Sequence, residues 1–186
     1  MTTQPKPLRF TANAFTAWAA AQTRGRFELA GGEVVAKAPE RVEHTRAKTR
    51  THQALEDAIG AAGLGCEAMG DGVTVRIDDQ TVYEPDALVR CGPKTPGDAT
   101  EVDDPIVVVE VVSPSSRGVD TGTKLAGYFR LPSVRYDLIV QTEGRVVIHH
   151  RRDDTGVISV QVLHAGSLVL DPPDLEIEIR DIFLTL

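Results

Sequence analysis

The order of elements readable in the sequence predicts an α/β (α+β) domain in which a mixed β-sheet lies between helices. Three observations carry that expectation: apolar residues recurring at three- and four-residue steps from His44 to Ala62, a β-branched run from Ile106 to Val112, and a second helical pattern after Asp120 followed by a further strand. The 186 residues, 41% apolar, 25% charged and 5% aromatic, fit a single domain over 1–186 and leave little room for a disordered or fibrous chain. A chain of this length buries roughly 70% of the surface it exposes when unfolded, so it needs no metal or disulfide staple to fold. No internal repeat or low-complexity linker interrupts it.

Thr11 to Ala21 is alanine-rich, with Phe15 and Trp18 three apart, which predicts a short helix. Phe27-Glu28-Leu29, Gly31-Gly32 and Val34-Val35 read as a hairpin turning on the paired glycines. From His44 to Ala62, Ala47, Thr51, Ala54, Leu55, Ala58, Ile59 and Ala62 mark one face of a helix that Gly63 ends. Steps of about 100° place His44 near the middle of that face, Lys48 on its margin and His52 further out. Val73 to Ile77 and Val82 to Cys91 read as two strands joined at Asp78-Asp79-Gln80, and Pro85 inside the second asks for a bulge or an edge position.

Ile106 to Val112 is apolar on both alternating faces apart from Glu110, as expected of a central strand covered on both sides. Pro114 stops it. Asp120 is placed to cap a helix through Arg130, with Leu125, Tyr128 and Phe129 inward and Pro132 closing it. Tyr136 to Val140 reads as a strand, Val146 to Leu163 as a hairpin or meander, and the C-terminus as a strand-like tail.

The longest apolar run is seven residues and contains Glu110, far short of the roughly 20 that cross a bilayer, so no membrane span is expected. Met1 to Pro7 lacks the layout of a secretory signal, and Cys66 and Cys91 form no CxxC pair; a cytoplasmic protein with free thiols is the expectation. The net charge of −7 is unevenly spread: residues 1–60 carry nine Lys/Arg and six Asp/Glu, residues 61–110 carry three and eleven, and residues 111–186 carry eight and ten. An acidic middle third repels phosphate but suits a surface that holds divalent cations, although loop acids such as Asp78-Asp79 are also ordinary solvated turns.

Glu110 is the most informative residue, because a carboxylate in a strand otherwise wholly apolar costs several kcal/mol to desolvate unless a cation or strong donors meet it. The bland alternative is a lone ion pair with a Lys or Arg. Asp86, in a neighbouring strand, could converge with Glu110 to form an oxygen site suited to Mg²⁺ or Mn²⁺. Lys124 lies one helical turn after Asp120; its stem can run along the sheet so that its ammonium reaches Glu110, there to orient or deprotonate a water, or to steady charge on a phosphoryl group. Pairing with Asp120 at the surface is its alternative. Ser113-Pro114-Ser115-Ser116 lacks the GxSxG elbow, no glycine series cradles a phosphate, and His149-His150 reads as a solvated hairpin edge rather than a zinc site.

Pro85-Asp86, then Val109-Glu110-Val111-Val112-Ser113-Pro114-Ser115-Ser116, then Asp120, Lys124, Tyr128 and Leu138-Ile139-Val140 together resemble the Uma-two family of endonucleases, also catalogued as a bacterial domain of unknown function. That family is placed in the PD-(D/E)XK nuclease superfamily. The resemblance runs from about residue 10 to 152, with the Phe27 to Val35 hairpin and His44 also fitting, and leaves about 153–186 as a C-terminal β extension. It implies a restriction-endonuclease-like fold with a four-stranded mixed sheet flanked by helices, and Asp86 and Glu110 as metal-binding acids. The superfamily's lysine, two residues after the second acid, is replaced here by Val112, and the resemblance moves that role to Lys124. It also offers Glu28 as a third acid and His44 as a contact to metal, water or phosphate; an ordinary hairpin glutamate and a satisfied core histidine are the alternatives. Gln141 stands where the family usually carries an acid.

The resulting expectation is a Mg²⁺- or Mn²⁺-dependent endonuclease acting on DNA phosphodiesters, with Asp86 and Glu110 on the metal, Lys124 assisting the water, and Glu28 and His44 in support. Arg41, Arg46, Lys48 and Arg50 are the expected phosphate contacts. The charge of −7 predicts modest non-specific affinity unless a partner or a homodimer adds contacts. The rival is a non-catalytic module of the same fold that binds nucleic acid or a protein.

Overall fold

Asp86 and Glu110 end up next to each other because of how two strands pair, and the rest of the fold covers that pair. The computed structural model describes residues 9–112 and 120–184. Its elements are α1 (Ala12–Ala20), β1 (Phe27–Ala30), β2 (Glu33–Ala36), α2 (Val42–Ala62), β3 (Cys66–Gly70), β4 (Val75–Asp78), β5 (Thr81–Tyr83), β6 (Ala87–Cys91), β7 (Val107–Val112), α3 (Asp120–Tyr128), β8 (Tyr136–Gln141), β9 (Val146–Arg152), β10 (Ile158–Leu163), β11 (Ser167–Leu170), β12 (Leu175–Glu178) and α4 (Ile179–Ile182). The Pro114 stop, the Ser113 to Ser116 motif and the Asp120 side chain lie outside the described residues.

The principal sheet is mixed and six-stranded, in the order β10-β9-β8-β7-β6-β3. Only β7 and β8 run parallel, joined through α3, as a crossover connection requires. The sheet exceeds the four strands implied by the resemblance because the β9–β10 hairpin extends one side and β3 closes the other. A second sheet, β2-β1-β5-β4, carries α1 on its apolar residues: Leu29 and Val82 meet Ala12 and Phe15, with Phe27 edge-on to Trp18. Gly31 and Gly32, with φ of 57° and 85°, form the tight turn between β1 and β2 that L residues strain to adopt.

All six residues of β7 are buried, which its β-branched composition foretells. Val107, Val109 and Val111 pack beneath Ala47, Leu55 and Ile59 of α2 and the C-terminal residues Leu168, Leu170 and Ile179. Val108 faces the other way, onto Leu88, Tyr83 and Tyr128. Each fully buried Val or Leu of this kind contributes about 1.5–3 kcal/mol, so both faces of β7 are firmly held.

Three further expectations are corrected. The segment from Val82 to Cys91 is two strands in different sheets, because the chain turns through Glu84-Pro85-Asp86 where proline cannot donate to a ladder. Cys66 and Cys91 are not free: they are directly opposed in the β3–β6 pairing and joined as a disulfide. His149 and His150 are 4% and 7% exposed rather than solvated, His149 stacked on Tyr136 and His150 hydrogen-bonded to the Asp137 carbonyl, since β10 converts β9 into an interior strand. The C-terminal tail is strand-like as expected: β11 and β12 form a separate two-stranded sheet, and the short α4 after it seals α2.

Candidate active site

β6 and β7 pair antiparallel with Leu88 opposite Val108, and continuing that register by two residues puts Asp86 opposite Glu110. The backbone locks the junction: Asp86 N donates to the Val109 carbonyl at 2.9 Å, and Val111 N donates back to Asp86 Oδ2 at 2.7 Å. The proline before Asp86 ends β5, so the acid sits at the start of β6, where the two sheets meet.

Glu110 is met by two donors from α3. Lys124 Nζ lies 3.0 and 3.1 Å from its two oxygens, and the Tyr128 hydroxyl donates to Oε1 at 2.8 Å. The two are four apart, so they share one helical face. Lys124 also donates to Glu28 Oε1 at 2.7 Å, and the same oxygen accepts from Glu84 N at 2.9 Å, which ties β1 to the chain just before Asp86. Glu28, Asp86, Glu110 and Lys124 therefore come together.

On the other side, Lys37 lies 3.8 Å from both Glu28 and Asp86 and donates to the Glu84 carbonyl at 2.9 Å. Lys48 Nζ is 2.7 Å from Asp86 Oδ1 and also donates to Glu40 and Asp71, while Arg26 binds Glu84 and Asp71. His44 Nε2 is 3.7 Å from Asp86 Oδ2.

Burial and these neighbours set the charge states. Burial, reinforced by Asp86 and Glu28 and only partly opposed by Lys124 and Lys37, pushes the Glu110 carboxyl up to about 7. Burial also raises Asp86, but the approach of His44, Lys37 and Lys48 outweighs it and holds that carboxyl well below its ordinary range. Burial would lower Lys124; Glu110 and Glu28 overcome it and keep the ammonium above the usual lysine range, so it stays charged at neutral pH.

A sequence profile of the Uma2 family, described as "Putative restriction endonuclease", matches residues 12–186. The chain belongs to the Uma2 family. An uncharacterized protein of Synechocystis sp. is 31% identical over 94 residues, a match spanning half of this chain and half of that protein. A crystal structure from Anabaena variabilis, described as a putative nuclease belonging to DUF820, superposes with a TM-score of 0.72 at 14% identity, covering 94% of this chain and 98% of that one. The fold of this Uma2 protein is thus that of the Anabaena protein.

The residues fit a divalent cation. Glu40, His44 and Asp86 each place one ligand-capable atom within 4.8 Å of the others, and His44 Nε2 is buried with no hydrogen-bond partner among the described residues. Among the described residues, ion pairs link the carboxylates Glu28, Glu40, Asp71, Glu84, Asp86 and Glu110 to the cations Arg26, Lys37, Lys48 and Lys124. The carboxylate oxygens suit Mg²⁺ or Mn²⁺, and the one imidazole shifts the preference from Mg²⁺ toward a transition-metal ion such as Mn²⁺.

Among the expected phosphate contacts of this Uma2 chain, Arg41 and Arg46 are exposed and Arg50 half-buried, whereas Lys48 turns inward to Asp86. Lys37, Glu40, Arg26, Asp71 and Glu84 escape the sequence reading. Glu40 had no helical signal, because it precedes α2, on which His44 and Lys48 stand four apart on one face. Lys37 had none, since its place follows from the β1–β2 register. Among the described residues no helix is long and apolar enough to cross a membrane.

Proposed function

We propose that this protein is a Mg²⁺- or Mn²⁺-dependent endonuclease that hydrolyses DNA phosphodiester bonds. The observation that carries the reading is the meeting of Asp86 and Glu110 across β6 and β7, with Lys124 bonded to both oxygens of Glu110. Burying several carboxylates costs folding free energy and such groups concentrate at functional sites; these lie where the two sheets meet.

Asp86 and Glu110 hold the ion, with His44 and Glu40 beside Asp86 as further donors. A divalent ion in such a site lowers the pKa of a bound water and neutralises charge on the phosphoryl oxygens under attack. Lys124, kept as an ammonium, orients the attacking water and opposes the negative charge that grows on the phosphorane; its raised pKa makes it a poor base. Glu28 and Tyr128 position Lys124 and Glu110 through the bonds at 2.7 and 2.8 Å. Arg41 at the start of α2, with Arg46 and Arg50 along it, supplies the phosphate contacts that bring the backbone to the site. Gln141 takes no part as an acid.

The test is supercoiled plasmid incubated with protein and Mg²⁺ or Mn²⁺, beside Asp86→Ala and Glu110→Ala. Cleavage by the parent that disappears in both variants supports the proposal. Equal nicking by all three identifies a contaminant, and no cleavage with no metal-dependent rise in Tm favours a binding module of the same fold.

A further inference from the structure

Lys48 holds a position that its mechanism-bearing neighbours leave unexplained. Its side chain is 6% exposed, its ammonium lies 2.7 Å from Asp86 Oδ1 and 3.2 Å from Asp71 Oδ2, and it donates to Glu40 as well. Asp86 and Glu40 are two of the three groups whose ligand atoms cluster within 4.8 Å, and the third, His44 Nε2, is buried, 3.7 Å from Asp86 Oδ2 and without a hydrogen bond among the described residues. A singly charged ammonium therefore holds the two carboxylates that, with the idle imidazole, could take a doubly charged ion. The carboxylates cannot give their full attraction to both. A lysine ammonium on a flexible four-carbon stem is also the side chain best able to leave one oxygen anion for another.

Resting on the metal-dependent nuclease reading, we propose that Lys48 is an internal counterion that competes with the divalent ion for Asp86 and Glu40. A nucleic-acid phosphate entering the site draws its ammonium away, so that metal and nucleic acid bind cooperatively. The competition keeps metal affinity low in the free protein and raises it when a phosphodiester arrives. Because the coupling is between two equilibria, metal must strengthen nucleic-acid binding by the same factor. Lys37, farther from Asp86 at 3.8 Å and committed to the Glu84 carbonyl, has no such competing role.

The experiment is calorimetric titration of the full chain with Mn²⁺, alone and with a short duplex carrying cleavage-resistant phosphorothioate linkages, for the parent and Lys48→Gln. For the parent, the duplex should tighten Mn²⁺ binding by about fivefold or more, the usual scale of such coupling. Lys48→Gln should bind Mn²⁺ about tenfold more tightly without the duplex, and the duplex should then tighten it by a smaller factor than in the parent, the remainder being the ion's own contact with the phosphate. A folded Lys48→Gln that binds Mn²⁺ no more tightly than the parent overturns the proposal. Should that variant not fold, the parent decides alone: equal Mn²⁺ affinity with and without the duplex also overturns it. Plasmid cleavage without coupling removes the Lys48 proposal and leaves the nuclease reading intact, whereas absence of Mn²⁺ binding in parent and variant removes both.

Discussion

Titrating Mn²⁺ affinity against pH probes Glu110 directly, because a ligand must be deprotonated before it can hold a metal. With the carboxyl pushed from its ordinary 4.5 up to about 7, Glu110 is almost wholly protonated at acid pH, and metal must displace that proton. The ionised fraction grows about 30-fold between roughly pH 5.5 and pH 8, so affinity should rise by about that factor; an ordinary glutamate would give about 1.1-fold. The stability sign is opposite. Since the folded-state pKa exceeds the unfolded one, the contribution of Glu110 to the metal-free protein is full below pH 4.5 and lost as pH rises through about 7, by roughly 3 kcal/mol. Mn²⁺ should therefore raise Tm more at pH 8 than at pH 5.5. The assay is calorimetry with thermal melts on the parent and Glu110→Gln. A flat affinity profile in the parent, or the same slope in the variant, refutes the reasoning.

Other perturbations follow from single contacts. Lys124→Met leaves Glu110 and Glu28 without their shared cation, so it should abolish cleavage and lower stability by about 3–5 kcal/mol at pH 8, read by denaturant unfolding, with less loss at low pH where Glu110 is protonated. Tyr128→Phe removes the hydroxyl that donates to Glu110 at 2.8 Å inside the core, which should cost about 1–2 kcal/mol and slow cleavage while the far-ultraviolet circular dichroism stays unchanged. At Gly127 an added Cβ would come within 2.6 Å of Tyr83 Cε2, so Gly127→Ala, normally favourable in a helix, should instead destabilise by about 1–3 kcal/mol by pushing α3 off the Tyr83 ring.

Where one physical cause dominated, the sequence was readable. The three-and-four spacing of α2, closed by Gly63 in the left-handed conformation, appears as expected, as does the hairpin on Gly31-Gly32. The apolar run of β7 is a central buried strand with its single carboxylate met by Lys124, both as the residue pattern suggests. What escaped depends on tertiary pairing. β3, Cys66-Glu67-Ala68-Met69-Gly70, has neither alternation nor β-branched residues and is a strand because β6 pairs with it. Helical steps place Lys48 correctly near the edge of the apolar face, but its direction is decided by Asp86 from another element. Likewise the burial of His149 and His150 follows from coverage by β10 and Tyr136, which local hydrophilicity conceals.

Soaking or co-crystallising the protein with Mn²⁺ and locating the ion by its anomalous scattering tests the shared-ion claim most directly. One ion is expected to bridge Asp86 and Glu110, bonded to an oxygen of each carboxylate. An ion bound elsewhere, or one that persists between these strands in Asp86→Ala with Glu110 turned away, contradicts it.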